Sequence, residues 1–232
     1  MSEVLKLINQ RLINSIVFKG LTVSNERLSV IILWLFTCSA LVGISLGYSD
    51  WFIPKTPLNL LIGLALLIVN IPLTTSKSRA LLLIAFLVGM GVEIAGVKTG
   101  LIFGTYEYGN NLGMKVWGVP IMIGIYWAVL VIVTSQMARS IFKNIMYVSI
   151  TGALLMVGLD FLMEHMAISF DFWYFEGGIA PFQNYIAWFI IALLLHMLAY
   201  RWMPKRKGVF STHLYLNQVV FFIISILLYK LT

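Results

Sequence analysis

Seven runs of mostly apolar residues recur along the 232-residue chain, near positions 29–47, 58–74, 80–97, 117–137, 145–164, 183–202 and 214–231. Each is seventeen residues or longer, close to what a helix needs to cross a hydrocarbon layer of ~30 Å. In lipid the backbone must satisfy its own hydrogen bonds, which leaves helices or a closed barrel, and runs of this length select helices. The expected fold is therefore all-α: a polytopic membrane bundle of about seven transmembrane helices, with residues 29–232 as one domain. Composition agrees, since 11% of residues are charged and 60% hydrophobic, against roughly 25% charged in soluble domains. Prolines punctuate the runs: Pro54 and Pro57 precede the second, Pro72 ends it, Pro181 opens the sixth and Pro204 closes it. No internal repeat is evident.

Residues 1–28 differ. Lys6, Arg11, Lys19 and Arg27 are scattered among Val4, Leu5, Ile8 and Leu12, without the continuous apolar stretch of a cleavable signal. The segment reads as an amphipathic helix lying on the membrane surface. The net charge of +7 does not point to nucleic acid, because the basic residues sit at the ends of apolar runs and form no stripe. Counted over alternate connections, twelve Lys and Arg fall on the side of the N-terminus and four, Lys55, Lys98, Lys115 and Lys230, on the other. The positive-inside rule then places the N-terminus in the cytoplasm and the C-terminus outside a cytoplasmic membrane. The connections 98–116 and 165–182 share the outer side.

Three acids interrupt apolar runs: Glu93 in the third, Asp160 and Glu164 in the last two turns of the fifth. Ionisable groups at such depth are rare and by default functional; the plainer reading is an acid near an interface that pairs with a lysine such as Lys98. Asp160 and Glu164 are four apart, on one helical face about 6 Å from each other. Two carboxylates that close have divergent pKa values, suited to giving and taking a proton. Glu107, Asp171 and Glu176 lie in the outer connections. In the stretch 93–108, Gly89, Gly96, Gly100 and Gly104 lie beside or among Glu93, Thr99, Tyr106, Glu107 and Tyr108, ahead of a Gly-Val-Pro-Ile turn at 118–121. Helix packing accounts for the glycines; the polar residues suggest a re-entrant or broken segment lining a cavity. Trp173, Tyr174, Phe175, Phe182, Tyr185 and Trp188 form either an interfacial belt or a pocket for a long polyene whose cationic intermediates face the rings.

His196 lies mid-span and reads as a hydrogen-bonded core residue; His165 and His213 carry no assignment. No second histidine stands at ligand spacing, so no metal site is expected. The single cysteine, Cys38, excludes an intrachain disulfide and reads as a small buried packing residue.

The combination of Glu93, Thr99-Gly100, Phe103-Gly104-x-Tyr106-x-Tyr108, Gly113, Gly118-Val119-Pro120, Trp127, Asp160 to Glu164 and Pro181-x-x-Asn184-Tyr185 with Trp188 resembles the membrane-bound carotenoid biosynthesis proteins of the carotenoid 1,2-hydratase type, which include the bisanhydrobacterioruberin and gamma-carotene hydratases. The likeness covers roughly residues 80–200. One position departs from it, His165 standing where that family has proline after the acid. The resemblance implies acid-catalysed addition of water to the terminal 1,2 double bond of an acyclic carotenoid end group, giving a tertiary alcohol without a redox cofactor. It implies Glu93 or Asp160 as the acid and Glu164 or Glu107 as the group positioning water. Thr99, Tyr106, Tyr108, Trp127, Trp173, Asn184, Tyr185 and Trp188 would contact substrate. The implied partners are an acyclic or monocyclic carotenoid, water and membrane lipid; the oligomeric state is open. A carotenoid end-group cyclase forms the same cation and is the nearest alternative. A retinal protein needs a mid-span lysine in the last helix, whereas Lys230 stands at its end. A transporter predicts inverted repeats that are not found.

Overall fold

The structure is a computed structural model, and it describes residues 15–18, 21–71, 73–205 and 208–231. Among these, seven helices are long and apolar enough to cross a membrane. They are α1 (Asn25–Ser45), α2 (Thr56–Asn70, preceded by helical turns over 49–55), α3 (Ser76–Thr99), α4 (Ile121–Ile141), α5 (Ile145–Ala167), α6 (Phe182–Trp202) and α7 (Val209–Leu231). The chain is thus an all-α polytopic membrane bundle.

Local chemistry sets the helix ends. The Ser24 side chain accepts from the Arg27 N–H at the start of α1, and Asn144 accepts from Met146 N–H at the start of α5. Thr75 and Ser78 form a reciprocal capping box at α3. Pro120 and Pro181 stand immediately before α4 and α6 in extended backbone, where a missing N–H costs nothing. Glu26 caps α7 from α1, accepting from Phe210 N–H at 3.2 Å.

Helix α4 is the axis of the bundle. Every residue from Tyr126 to Gln136 is buried, as expected of a helix that is apolar all round, and it packs on α2, α3, α5, α6 and α7. The other helices turn one face outward: Ile31, Leu35, Leu83, Leu87, Leu154, Leu194 and Leu227 are each more than half exposed. So many large apolar side chains facing outward in every outer helix fit lipid, not water.

Four expectations are revised or completed. Residues 1–14 of the N-terminal segment lie outside the described residues. Over the remainder, Ser15–Phe18 (β1) and Leu21–Ser24 (β2) pair as antiparallel strands and α1 begins at Asn25, so no surface helix runs to residue 28; Ile16, Val17, Phe18, Thr22 and Val23 are strand formers. Pro72, Arg206 and Lys207, used above for span ends and charge counts, also lie outside the description. Cys38 is exposed on α1, not buried. The stretch 93–121 is neither broken nor re-entrant within α3: the helix is continuous to Thr99 and is ended by Gly100 in left-handed backbone at φ 67°. The 118–121 turn belongs to a hairpin of Lys115–Val116 (β3) and Val119–Pro120 (β4) that leads into α4. His196 is a buried core residue, its Nδ1 2.7 Å from Ala192 O and its Nε2 2.7 Å from Thr134 Oγ1.

Candidate active site

The site is organised by the connections that follow α3 and α5, which fold onto each other. Tyr106–Tyr108 (β5) pairs antiparallel with Trp173–Phe175 (β6), placing Tyr106 opposite Phe175, Glu107 opposite Tyr174 and Tyr108 opposite Trp173. Strand alternation decides which side chains enter the bundle: Tyr106 and Tyr108 are buried, and Glu107 between them is exposed. Further bonds close the junction, with Gly109 N–H donating to Phe172 O at 2.8 Å and Asn111 Nδ2 to Phe170 O at 2.9 Å.

Asp171 fastens its outer edge, accepting from Tyr174 Oη at 2.6 Å and Asn110 N–H at 3.0 Å. The Tyr174 hydroxyl, with smaller help from Asn110 and Lys115, holds the Asp171 carboxyl below the usual carboxylate range. A carboxyl lowered in the folded state adds stability that is present above its unfolded value and lost as pH falls through the folded one. Amide exchange at Asn110 and Asn111 is therefore expected to quicken below about pH 4. In Tyr174→Phe this quickening sets in at higher pH, and an unchanged profile would remove the role assigned to this contact.

Beneath the junction Glu93 is fully enclosed, at 2% exposure. Its Oε2 accepts from Tyr106 Oη at 2.5 Å and Tyr108 Oη at 2.8 Å, and its Oε1 from Trp127 Nε1 at 3.0 Å. Burial, and next the Glu93 charge, push both tyrosines far above the ordinary phenol value, so both remain donors. Two glycines of α3 make this possible: a Cβ on Gly89 would lie 2.6 Å from Trp127 Cβ, and one on Gly96 2.6 Å from Phe103 and 3.1 Å from Tyr106 Oη. The glycines thus admit aromatic side chains to the helix surface.

Asp160 and Glu164 project from α5. Asp160, 2% exposed, accepts from Asn184 Nδ2 through Oδ2 at 2.9 Å, and Glu164 accepts from Trp173 Nε1 through Oε2 at 3.0 Å. Among the described residues these are their only side-chain hydrogen bonds, each using one oxygen, and all partners of the three acids are neutral. Aromatic rings enclose the group: Trp127 stacks on Trp188 at 4.1 Å, Tyr106 on Phe175 at 5.1 Å, and Tyr108 meets Trp173 edge-on at 6.1 Å. Half-buried Tyr185 lies beside Phe161, their rings 6.0 Å apart.

Of the twelve residues singled out from the sequence, the structure thus gathers Glu93, Tyr106, Tyr108, Trp127 and Trp188 into one network, and Asp160, Glu164, Trp173 and Asn184 into a second beside it, joined through the Tyr108–Trp173 contact. Two stand apart. Exposed Glu107 is on the outer face of β5. Exposed Thr99 bonds only its own turn, donating to Ala95 O and accepting from Leu101 N–H.

A cavity of about 350 Å³ lies between α1, the start of α2, α4, α5 and α7, with Trp173, the donor to Glu164, in its wall and none of the three acids. Its lining includes Trp173, Met163 and Tyr126 on the side of α4 and α5, and Thr37, Asn217 and Gln218. Trp173 thus touches Glu164 with its N–H and the cavity with its ring. Tyr126 and Gln218, which the sequence reading missed, bond each other at 2.6 Å, and Thr37 donates to Asn217 at 2.7 Å. The signal was two adjacent amides inside the last apolar run.

Residues 56–232 match the family model described as carotenoid biosynthesis protein. The chain belongs to that family. It is also 24% identical over 170 residues to the bisanhydrobacterioruberin hydratase of Haloarcula japonica, an alignment covering 66% of this chain and 56% of that protein. The chain therefore aligns with little more than half of that relative's length. No solved structure matches. The family match embraces every residue of both acid networks, and leaves out all of α1 and with it the cavity wall from Leu35 to Lys55.

Proposed function

We propose that this protein hydrates the terminal 1,2 double bond of an acyclic carotenoid end group, giving a tertiary alcohol. The observation that carries the reading is a carboxyl pair on one face of α5, buried Asp160 and half-buried Glu164, each with a single neutral hydrogen-bond donor and with aromatic rings beside it. Membership of a carotenoid biosynthesis family and the likeness to a protein named as a hydratase support the substrate class.

The chemistry needs a proton, a cation and a water. A carboxyl of the Asp160–Glu164 pair delivers its proton to C2, and the π electrons of the 1,2 bond form the new C–H bond, leaving a tertiary cation at C1. Water adds to C1, and its surplus proton passes to the carboxylate that remains, so the pair ends the cycle as it began. Both oxygens of Glu93 are occupied by three donors, so its part is to hold Tyr106, Tyr108 and Trp127 in place. The ring faces of Trp173 and Tyr108 attract the cation, an interaction of ~2 kcal/mol or more once desolvated, and the closed junction keeps bulk water from the reacting carbons. The excess of basic residues on the opposite loops supports a site that opens toward the non-cytoplasmic face.

Production in a lycopene-accumulating host tests the reaction. Hydration yields pigment heavier by one or two waters with a tertiary hydroxyl, whereas cyclisation yields an isomer of unchanged mass, and the second outcome would replace this reading.

A further inference from the structure

The cavity between α1, α2 and α7 has two unlike ends. Toward the outside it is framed by Leu35, Ser39 and Leu58, all exposed on lipid-facing helix surfaces. At the inner end stand Tyr126 and Gln218, with Trp173 bonded through its N–H to Glu164. Ligand sites generally measure ~300–1,000 Å³, so about 350 Å³ takes one end of a long molecule and leaves the rest in lipid. Membrane lipid tails are as apolar as the walls, but they have no use for a polar floor where Tyr126 and Gln218 stand with Trp173, the donor to Glu164. An isoprenoid end group that is to react there does.

We infer that this cavity is the lateral entry site for one end of the polyene, and that Gln218, held by Tyr126, positions the attacking water. The inference rests on the hydratase reading. Tyr126 donates its proton to Gln218 Oε1, which fixes the amide orientation, and among the described residues the Gln218 amide nitrogen donates to no protein group. Gln218 lines the cavity, and that nitrogen is a donor able to hold a water oxygen for attack on C1. Without that water the cation loses a proton to restore an alkene, either directly from a neighbouring carbon or after ring closure by an internal double bond.

The test uses the full chain in lipid nanodiscs with lycopene as probe. Ser39→Trp narrows the mouth while facing lipid, so it should fold; it is expected to lower pigment retained on purification, and turnover, at least tenfold. Gln218→Leu is expected to retain pigment but change the product: in deuterium oxide, polyene gains carbon-bound deuterium while hydroxylated product falls at least tenfold. Asp160→Asn should retain pigment and form neither deuterated polyene nor hydroxylated product. Wild-type retention and turnover in Ser39→Trp, or lipid instead of pigment held by the wild type, would overturn the entry site; an unaltered product ratio in Gln218→Leu would overturn the water assignment. Pigment retained by the wild type and lost in Ser39→Trp, with no tertiary alcohol formed by either, would uphold the entry site and sink the hydratase reading.

Discussion

Asp160→Asn is expected to lower carotenoid hydration by roughly 10²–10⁴-fold, the usual contribution of a positioned general acid or base, while leaving the fold intact. The side chain keeps its shape, and an asparagine oxygen still accepts the Asn184 N–H that Asp160 accepts at 2.9 Å. What disappears is the capacity to exchange a proton. Product formation in nanodiscs, read beside thermal unfolding of the same sample, separates the two: activity falls and the unfolding temperature stays within a few degrees. Glu164→Gln behaves in the same way, because its amide oxygen still accepts from Trp173. Undiminished turnover in both variants would remove the pair from the reaction.

Glu93→Gln is expected to fail differently, losing stability as well as activity. Three donors, Tyr106, Tyr108 and Trp127, converge on its two oxygens. A glutamine offers one oxygen and one NH₂, so at least one buried donor meets another donor. Each unsatisfied buried group costs roughly 1–3 kcal/mol, and the damage spreads because Tyr106 and Tyr108 anchor β5 and Trp127 sits on the central helix. The measurable result is a lowered unfolding temperature together with faster amide exchange across Tyr106–Tyr108 and Trp173–Phe175. A variant as stable as wild type, with the strand pair still protected, would show that the three donors find other partners.

The seven helices were legible in the sequence because bilayer thickness imposes a length, and length is read directly from an apolar run. The acids of the spans were legible for a related reason, since Glu93, Asp160 and Glu164 interrupt apolar runs. What joins them was less visible. The β5–β6 pair is three residues on each side, separated by sixty-odd residues of sequence, and no local pattern announces a contact of that range. Tyr106-Glu107-Tyr108 does carry a period of two, which places Glu107 opposite the tyrosines; taken as part of a helical or re-entrant segment, the same three residues all pointed inward. Glycines 89 and 96 suggested close helix approach, whereas their neighbours are Trp127, Phe103 and Tyr106, because an absent Cβ makes room for a ring as readily as for a backbone. Tyr126 and Gln218 escaped notice since a tyrosine and an amide in an apolar run carry no charge to betray them. The pairing of Ser15–Phe18 with Leu21–Ser24 was hidden by basic residues that give the segment a helical amphipathic look.

The most direct measurement is the isotopic composition of the product formed by purified protein from lycopene in deuterium oxide and, separately, in heavy-oxygen water. Protonation by the Asp160–Glu164 pair followed by attack of water predicts one carbon-bound deuterium at C2 and one heavy oxygen at C1 for every end hydrated, both absent in Asp160→Asn. A product with deuterium but no oxygen, or one formed at the wild-type rate by Asp160→Asn, would contradict it.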